Sequence, residues 1–197
     1  MQPQCGAIMD VGDLVFWKTI NSDLVVILVH RSGSSMVRIL VLYDSWTGNT
    51  EKMAFAVVEG VKQVEGVEVV LKKVDATNLE DLLEADGIII GSPTFYGQMS
   101  GKLKTLIDRS VKIHGKLEGK VGGAFTSSGE KASGAETTVL SILKAMLIHG
   151  MIVQGRPDHE HYGAAAVRAP DEKAVESCRE LGKRVASLTV RLRAQQA

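Results

Sequence analysis

From Val37 onward the hydrophobic period of the chain switches repeatedly between two kinds of segment, and few folds tolerate that alternation. Short apolar runs rich in β-branched residues occupy Val37 to Tyr43, Val67 to Val74, Gly87 to Gly91, Val121 to Thr126 and Met151 to Val153. Continuous apolarity, rather than polar/apolar alternation, marks strands covered on both faces. Between them, Thr50 to Val64, Leu79 to Glu84, Gly101 to Val111, Ala135 to His149 and Asp171 to Leu192 place apolar residues three or four apart, as helices do. The pattern predicts a doubly wound α/β domain. Right-handed crossovers put helices on both faces of its parallel sheet and open the ligand site beyond the carboxyl ends of the strands.

The loops after strands therefore carry the functional information. After the first run the chain reads Asp44-Ser45-Trp46-Thr47-Gly48-Asn49-Thr50-Glu51 and enters a helix directly. Ser45, Thr47 and Thr50 supply hydroxyls, Gly48 admits close backbone approach, and the helix start offers unpaired N–H groups at the positive end of its dipole. The loop contains no lysine or arginine, and neither GxxxxGK[ST] nor GxGxxG occurs. A neutral cradle of this kind suits one terminal phosphate monoester. As an ordinary strand-to-helix turn, the same residues would serve only as caps.

Two later loops resolve that choice through a resemblance. Ser45-Trp46-Thr47-Gly48-Asn49-Thr50 resembles the S-x-T-G-N-T loop of flavodoxins, which holds the phosphate of flavin mononucleotide (FMN). Gly91-Ser92-Pro93-Thr94-Phe95-Tyr96-Gly97-Gln98-Met99-Ser100-Gly101 is similar to the G-[ST]-P-T-x-[FY]-G-x-M-S-G segment of WrbA-type NAD(P)H:quinone oxidoreductases, which share the flavodoxin fold. Phe125-Thr126-Ser127-Ser128-Gly129 and His149-Gly150-Met151 continue the likeness, which runs from about Val37 to Met151. It implies a five-stranded sheet of order 2-1-3-4-5.

The resemblance also implies the site. Ser45, Trp46, Thr47, Gly48, Asn49 and Thr50 would bind the phosphate. Thr94, Phe95 and Tyr96 would line the flavin ring, with Pro93 and Gly97 shaping the turn. Ser127, Ser128, Gly129, Glu130, Lys131 and Ala132 would close over the ribityl chain and ring, and His149 would lie beside the flavin, a candidate for proton delivery. The chain departs from the family where Glu130-Lys131-Ala132-Ser133 replaces a glycine-rich stretch. It also lacks the long insertion after the second strand that accompanies tetramers, and the substrate-side tryptophan. The implied activity is electron transfer from NADH or NADPH through FMN to a quinone or similar acceptor. The alternative is a flavodoxin-type one-electron carrier between proteins. A homo-oligomer is expected, with a dimer favoured over a tetramer.

Composition narrows the partners. With 23 basic and 23 acidic residues in 197, no net charge draws the chain to nucleic acid or an anionic membrane. No apolar run reaches the roughly 20 residues of a membrane helix. Leu24 to Val29 is too short, and Asp10, Asp13 and Asp23 precede it where a secretory leader would be basic. A cytoplasmic location is the expectation. Cys5 and Cys178 form no CxxC or zinc pattern and read as free thiols. His159, Glu160 and His161 are adjacent on a loop, a poor geometry for one metal ion, so no metal is expected there. Residues 1–35 are loosely patterned and read as an N-terminal extension, with Leu24 to Val29 able to form a β-segment and Met36 a candidate native start. Residues 36–197 read as the FMN-binding domain.

Overall fold

The computed structural model describes residues 5–10, 13–20, 23–29 and 36–195. Three strands, β1 (Cys5–Asp10), β2 (Asp13–Ile20) and β3 (Asp23–Val29), form an antiparallel meander. The central domain follows as β4 (Val37–Tyr43), α1 (Asn49–Val61), β5 (Val67–Lys73), α2 (Leu79–Glu84), β6 (Gly87–Pro93) and α3 (Gly101–Arg109). It continues with β7 (Val121–Ser128), α4 (Ala135–Ile148), β8 (Ile152–Val153), β9 (Ala164–Val167) and α5 (Glu172–Ala194).

The parallel core has the strand order β5-β4-β6-β7-β8, which is the expected 2-1-3-4-5. Each interior strand is buried on both sides because its residues alternate between two cores. Ile39 and Val41 face α1 and α5, packing with Met53, Val57, Leu181 and Val185. Leu40 and Leu42 face α2, α3 and α4, packing with Leu82, Leu103, Ile142 and Met146. This accounts for the continuous apolar runs of the sequence.

Two features lie outside the five-strand expectation. The fifth position is shared: β8 pairs with Val121 and Gly122 of β7, whereas β9 pairs with Phe125 to Ser128. Residues 154–163 form a loop between them. β9 reads Ala-Ala-Ala-Val, and alanine carries little strand preference, so burial between β7 and α5 decides its state. At the other edge, β3 pairs antiparallel with β5, Val26 opposite Leu71 and Leu28 opposite Val69. Leu24 to Val29 thus lies in a strand that extends the sheet.

Candidate functional site

At the carboxyl end of the sheet three loops meet. The first follows β4. Asp44 is buried; its N–H donates to the Gly91 carbonyl at 3.0 Å, and its Oδ1 accepts the Ser45 N–H at 2.9 Å. Ser45 Oγ accepts the Glu51 N–H at 3.3 Å. Gly48 precedes α1 with φ of 83°, a left-handed conformation that glycine adopts without the Cβ penalty, and no side chain caps the helix. The Asn49 and Thr50 N–H groups at the start of α1 are thereby left for a ligand. Partial burial pushes the Glu51 carboxyl up, but hydrogen bonds from the Tyr43 hydroxyl and Lys73 outweigh it and hold the group below the usual carboxylate range. The only acid of the first turn is thus already partnered.

The second loop is a rigid turn. Phe95 and Gln98 exchange N–H···O bonds of 3.0 Å across Tyr96 and Gly97, whose φ values of 49° and 74° make a primed two-residue turn. Its base is fixed by Ser92 Oγ, which accepts the Ser100 N–H at 2.9 Å. The turn leaves the Tyr96 side chain wholly exposed at its tip. Phe95 lies edge-on to Trp46 with ring centroids 4.9 Å apart, and Trp46 is 73% exposed. Three aromatic side chains therefore surround one opening.

The third loop joins β7 to α4 and ties the other two together. Ser127 Oγ and Thr50 Oγ1 share a buried hydrogen bond of 2.8 Å, and the Ser127 carbonyl accepts the Thr94 N–H at 2.8 Å. Ser128 is buried, whereas Gly129, Glu130, Lys131 and Ala132 are exposed. Gly134 starts α4 with φ of 96° and again no side-chain cap; a Cβ there would stand 2.5 Å from Gly97 Cα. Second and third loops touch at that point. The other three helices are capped, by Asn78, Ser100 and Asp171. Of the five α-helices described, only α1 and α4, whose starts border this opening, have an N-cap residue with no side chain to cap them, and in α1 the Glu51 N–H alone is taken, by Ser45 Oγ.

These residues fit FMN. Uncapped amides with the Ser45 and Thr47 hydroxyls suit the phosphate, and the aromatic side chains suit a flat ring. Asp44 Oδ2, buried without a partner, is an acceptor for a hydroxyl-rich chain between them.

The structure brings residues 45–50, 93–97 and 127–132 together but not His149. Helix α4 runs away from the site, and Gly150 accepts the Gly119 N–H at 3.0 Å at the opposite end of β7. From Lys120 to Ser127 the strand spans about 23 Å at its usual rise. His149 Nε2 instead shares a 2.7 Å hydrogen bond with Ser110, and its ring lies 5.8 Å from that of His114. Burial, with His114 adding to it, lowers its pKa. Within one chain His149 therefore stands at the opposite end of β7 from these loops, because a helix 14 residues long carries its end to the far side of the sheet.

The remaining candidates belong to other surroundings. His161 Nδ1 bonds the Arg156 carbonyl at 2.8 Å within the 154–163 loop, and Glu160 accepts from Ser177, anchoring that loop to α5. Among the described residues no group of three potential ligands converges for a metal. The Cys178 thiol is buried and pushed up to about 12 by desolvation, so it is unreactive. The side chain of Cys5 lies outside the described residues. No described helix is long and apolar enough to cross a membrane.

Sequence reasoning missed Arg168. It follows β9, donates its N–H to the Ser128 carbonyl at 2.7 Å, and reaches Gly129 and Glu130 with its guanidinium. No motif contains it, and nothing in its residue type forecasts its φ of 60°.

A doubly wound sheet of this order, with an uncharged loop of hydroxyls and amides before its first helix and an aromatic-lined opening beside it, defines a flavodoxin-like FMN protein. The chain belongs to the NADPH-dependent FMN reductase family, whose model matches residues 37–158. It is 43% identical over 159 residues to a flavodoxin of Aquifex aeolicus, covering 77% of this chain and 86% of that protein. It is 37% identical over 191 residues to an NAD(P)H dehydrogenase (quinone) of Archaeoglobus fulgidus, covering 80% of this chain and all of the relative. The solved flavodoxin, WrbA-like protein from Agrobacterium tumefaciens superposes with a TM-score of 0.69 at 28% identity, over 79% of this chain and 98% of that one. The chain is thus an FMN-binding oxidoreductase, with FMN and NAD(P)H as its cofactors.

Proposed function

We propose that this protein is an FMN-dependent NAD(P)H:quinone oxidoreductase. The observation that carries the reading is the open aromatic rim: with Trp46 and Tyr96 exposed above the Thr94–Gly97 turn, a flat donor and a flat acceptor can each stack at the same place in turn. Bound FMN would supply the redox chemistry by accepting two electrons and passing them on. The protein's own tasks are binding and orientation. Residues 45–50 anchor the phosphate, Pro93 to Gly97 fix the ring plane, and residues 127–132 close the third side. No nucleophile or metal is required. Relatives named NAD(P)H dehydrogenase (quinone), at 37% and 33% identity, support the assignment.

The second reading, a one-electron carrier between proteins, is favoured by the flavodoxin of Aquifex aeolicus. Against it stands the balanced charge, because carriers dock through strongly charged faces. The test is NADH and NADPH oxidation by the FMN-loaded protein with and without benzoquinone. Rapid quinone-dependent turnover supports the reductase; negligible turnover in a protein that binds FMN favours the carrier. The same reading places the protein in the cytoplasm as a homo-oligomer. It sets the FMN domain at residues 36–197, supported by a family match that begins at residue 37.

A further inference from the structure

Four non-glycine residues among those described hold a positive φ: Tyr96, Ala132, Glu160 and Arg168. Three of them lie at the carboxyl end of the sheet, around the proposed flavin site. Tyr96 belongs to the primed turn, but Arg168 has no turn to require it. The left-handed conformation is unfavourable for arginine, so its surroundings must hold it there. Its contacts run along one segment: its N–H to the Ser128 carbonyl at 2.7 Å, its Nε to the Gly129 carbonyl at 3.2 Å, and its guanidinium to the Glu130 carboxylate. The ion pair is exposed, 72% at Arg168 and 69% at Glu130, and a surface pair of that kind adds little to folding stability. Neither the strain nor the pair is explained by stability.

We propose that Arg168 is a positioning residue for the flavin, clasping Ser128, Gly129 and Glu130 in their ring-binding form while the Arg168–Glu130 pair balances charge beside the ring. The proposal rests on the FMN reading above. This chain has Glu130-Lys131-Ala132 in its third loop, and without the clasp that stretch has few contacts of its own. Ser133 Oγ bonds the Glu130 carbonyl at 2.6 Å, and Ser128 Oγ reaches it at 3.1 Å. Both close the loop on itself; beyond a 3.4 Å bond from Ser128 Oγ to the Ala166 carbonyl of β9, Arg168 is the side chain that ties Gly129 and Glu130 to the sheet edge. A flavin ring gains negative charge on reduction, so the two partners act on it with opposite signs.

The full-length protein tests this through Arg168→Gln, Arg168→Gly and Glu130→Gln. Arg168→Gly suits the positive φ and deletes the side chain without backbone strain. Dissociation constants for FMN and riboflavin come from flavin fluorescence, and midpoint potentials from equilibrium titration of the bound flavin. Both Arg168 variants should weaken FMN and riboflavin by the same factor, about fivefold, the equivalent of roughly one net hydrogen bond, since the contact is with the ring loop. Arg168→Gln should lower the midpoint potential and Glu130→Gln should raise it. Unchanged affinity and potential in the Arg168 variants would overturn the proposal, as would shifts of the same sign in Arg168→Gln and Glu130→Gln, which mark simple loosening. Failure of the unaltered protein to bind FMN would instead sink the underlying reading.

Discussion

At the amino end of the sheet, exposed charge is neutralised by the protein itself. Lys120 donates to the carbonyls of Leu82, Leu83 and Ala85 and so closes the end of α2, while Asp86 accepts both the Arg38 N–H and the Arg193 guanidinium. At the carboxyl end, α1 and α4 start on left-handed glycines with no side-chain cap, and Trp46 and Tyr96 stand in the open. The same fold therefore spends its polar groups on stability at one end and withholds them at the other. A difference of that kind locates a ligand site without any ligand being present.

The largest expected effect comes from placing an acid in the cradle. Thr47→Asp should raise the FMN dissociation constant at least about 100-fold through repulsion of the phosphate. Its apoprotein should melt no lower, since a carboxylate at a helix start is favourable. Loss of both binding and stability would mean the loop is merely structural. Lys120→Met tests the opposite end. Removing three carbonyl contacts should cost about 2 kcal/mol in chemical denaturation while leaving FMN affinity within about twofold. Weakened FMN binding would show that the two ends are not separable.

Trp46→Ala should weaken FMN about tenfold, the scale of one aromatic contact, with unchanged melting because the side chain is exposed. The smallest effect concerns His149. Burial and the neighbouring His114 put its folded pKa below the usual value of 6.5, so the unfolded chain takes up the proton first as pH falls. Stability should decline between about pH 6.5 and the lower folded value, and His149→Gln should flatten that decline in melting curves. FMN affinity and quinone turnover should not change with it. Altered turnover in the variant would bring His149 back to the site.

Much of this was legible in the residues. The β-branched runs gave the five parallel positions because strands buried on both faces leave that trace, and Ser45 to Thr50 pointed to the proposed phosphate cradle because such chemistry is local. Arg168 and β9 were not legible. Ala164 to Val167 carries no strand preference, and Arg168 acquires its conformation only from Ser128 to Glu130, some forty residues earlier in the chain. The place of His149 within one chain was not legible for a related reason: adjacency to a motif in sequence says nothing about which end of a helix faces the ligand.

The most direct measurement is a parallel titration of the full-length protein with FMN and with riboflavin, followed by flavin fluorescence. Uncapped amides and hydroxyls at residues 45–50 predict one FMN quenched per chain and riboflavin held at least about 100-fold more weakly. Equal affinity for the two flavins, or no quenching by either, would contradict the account.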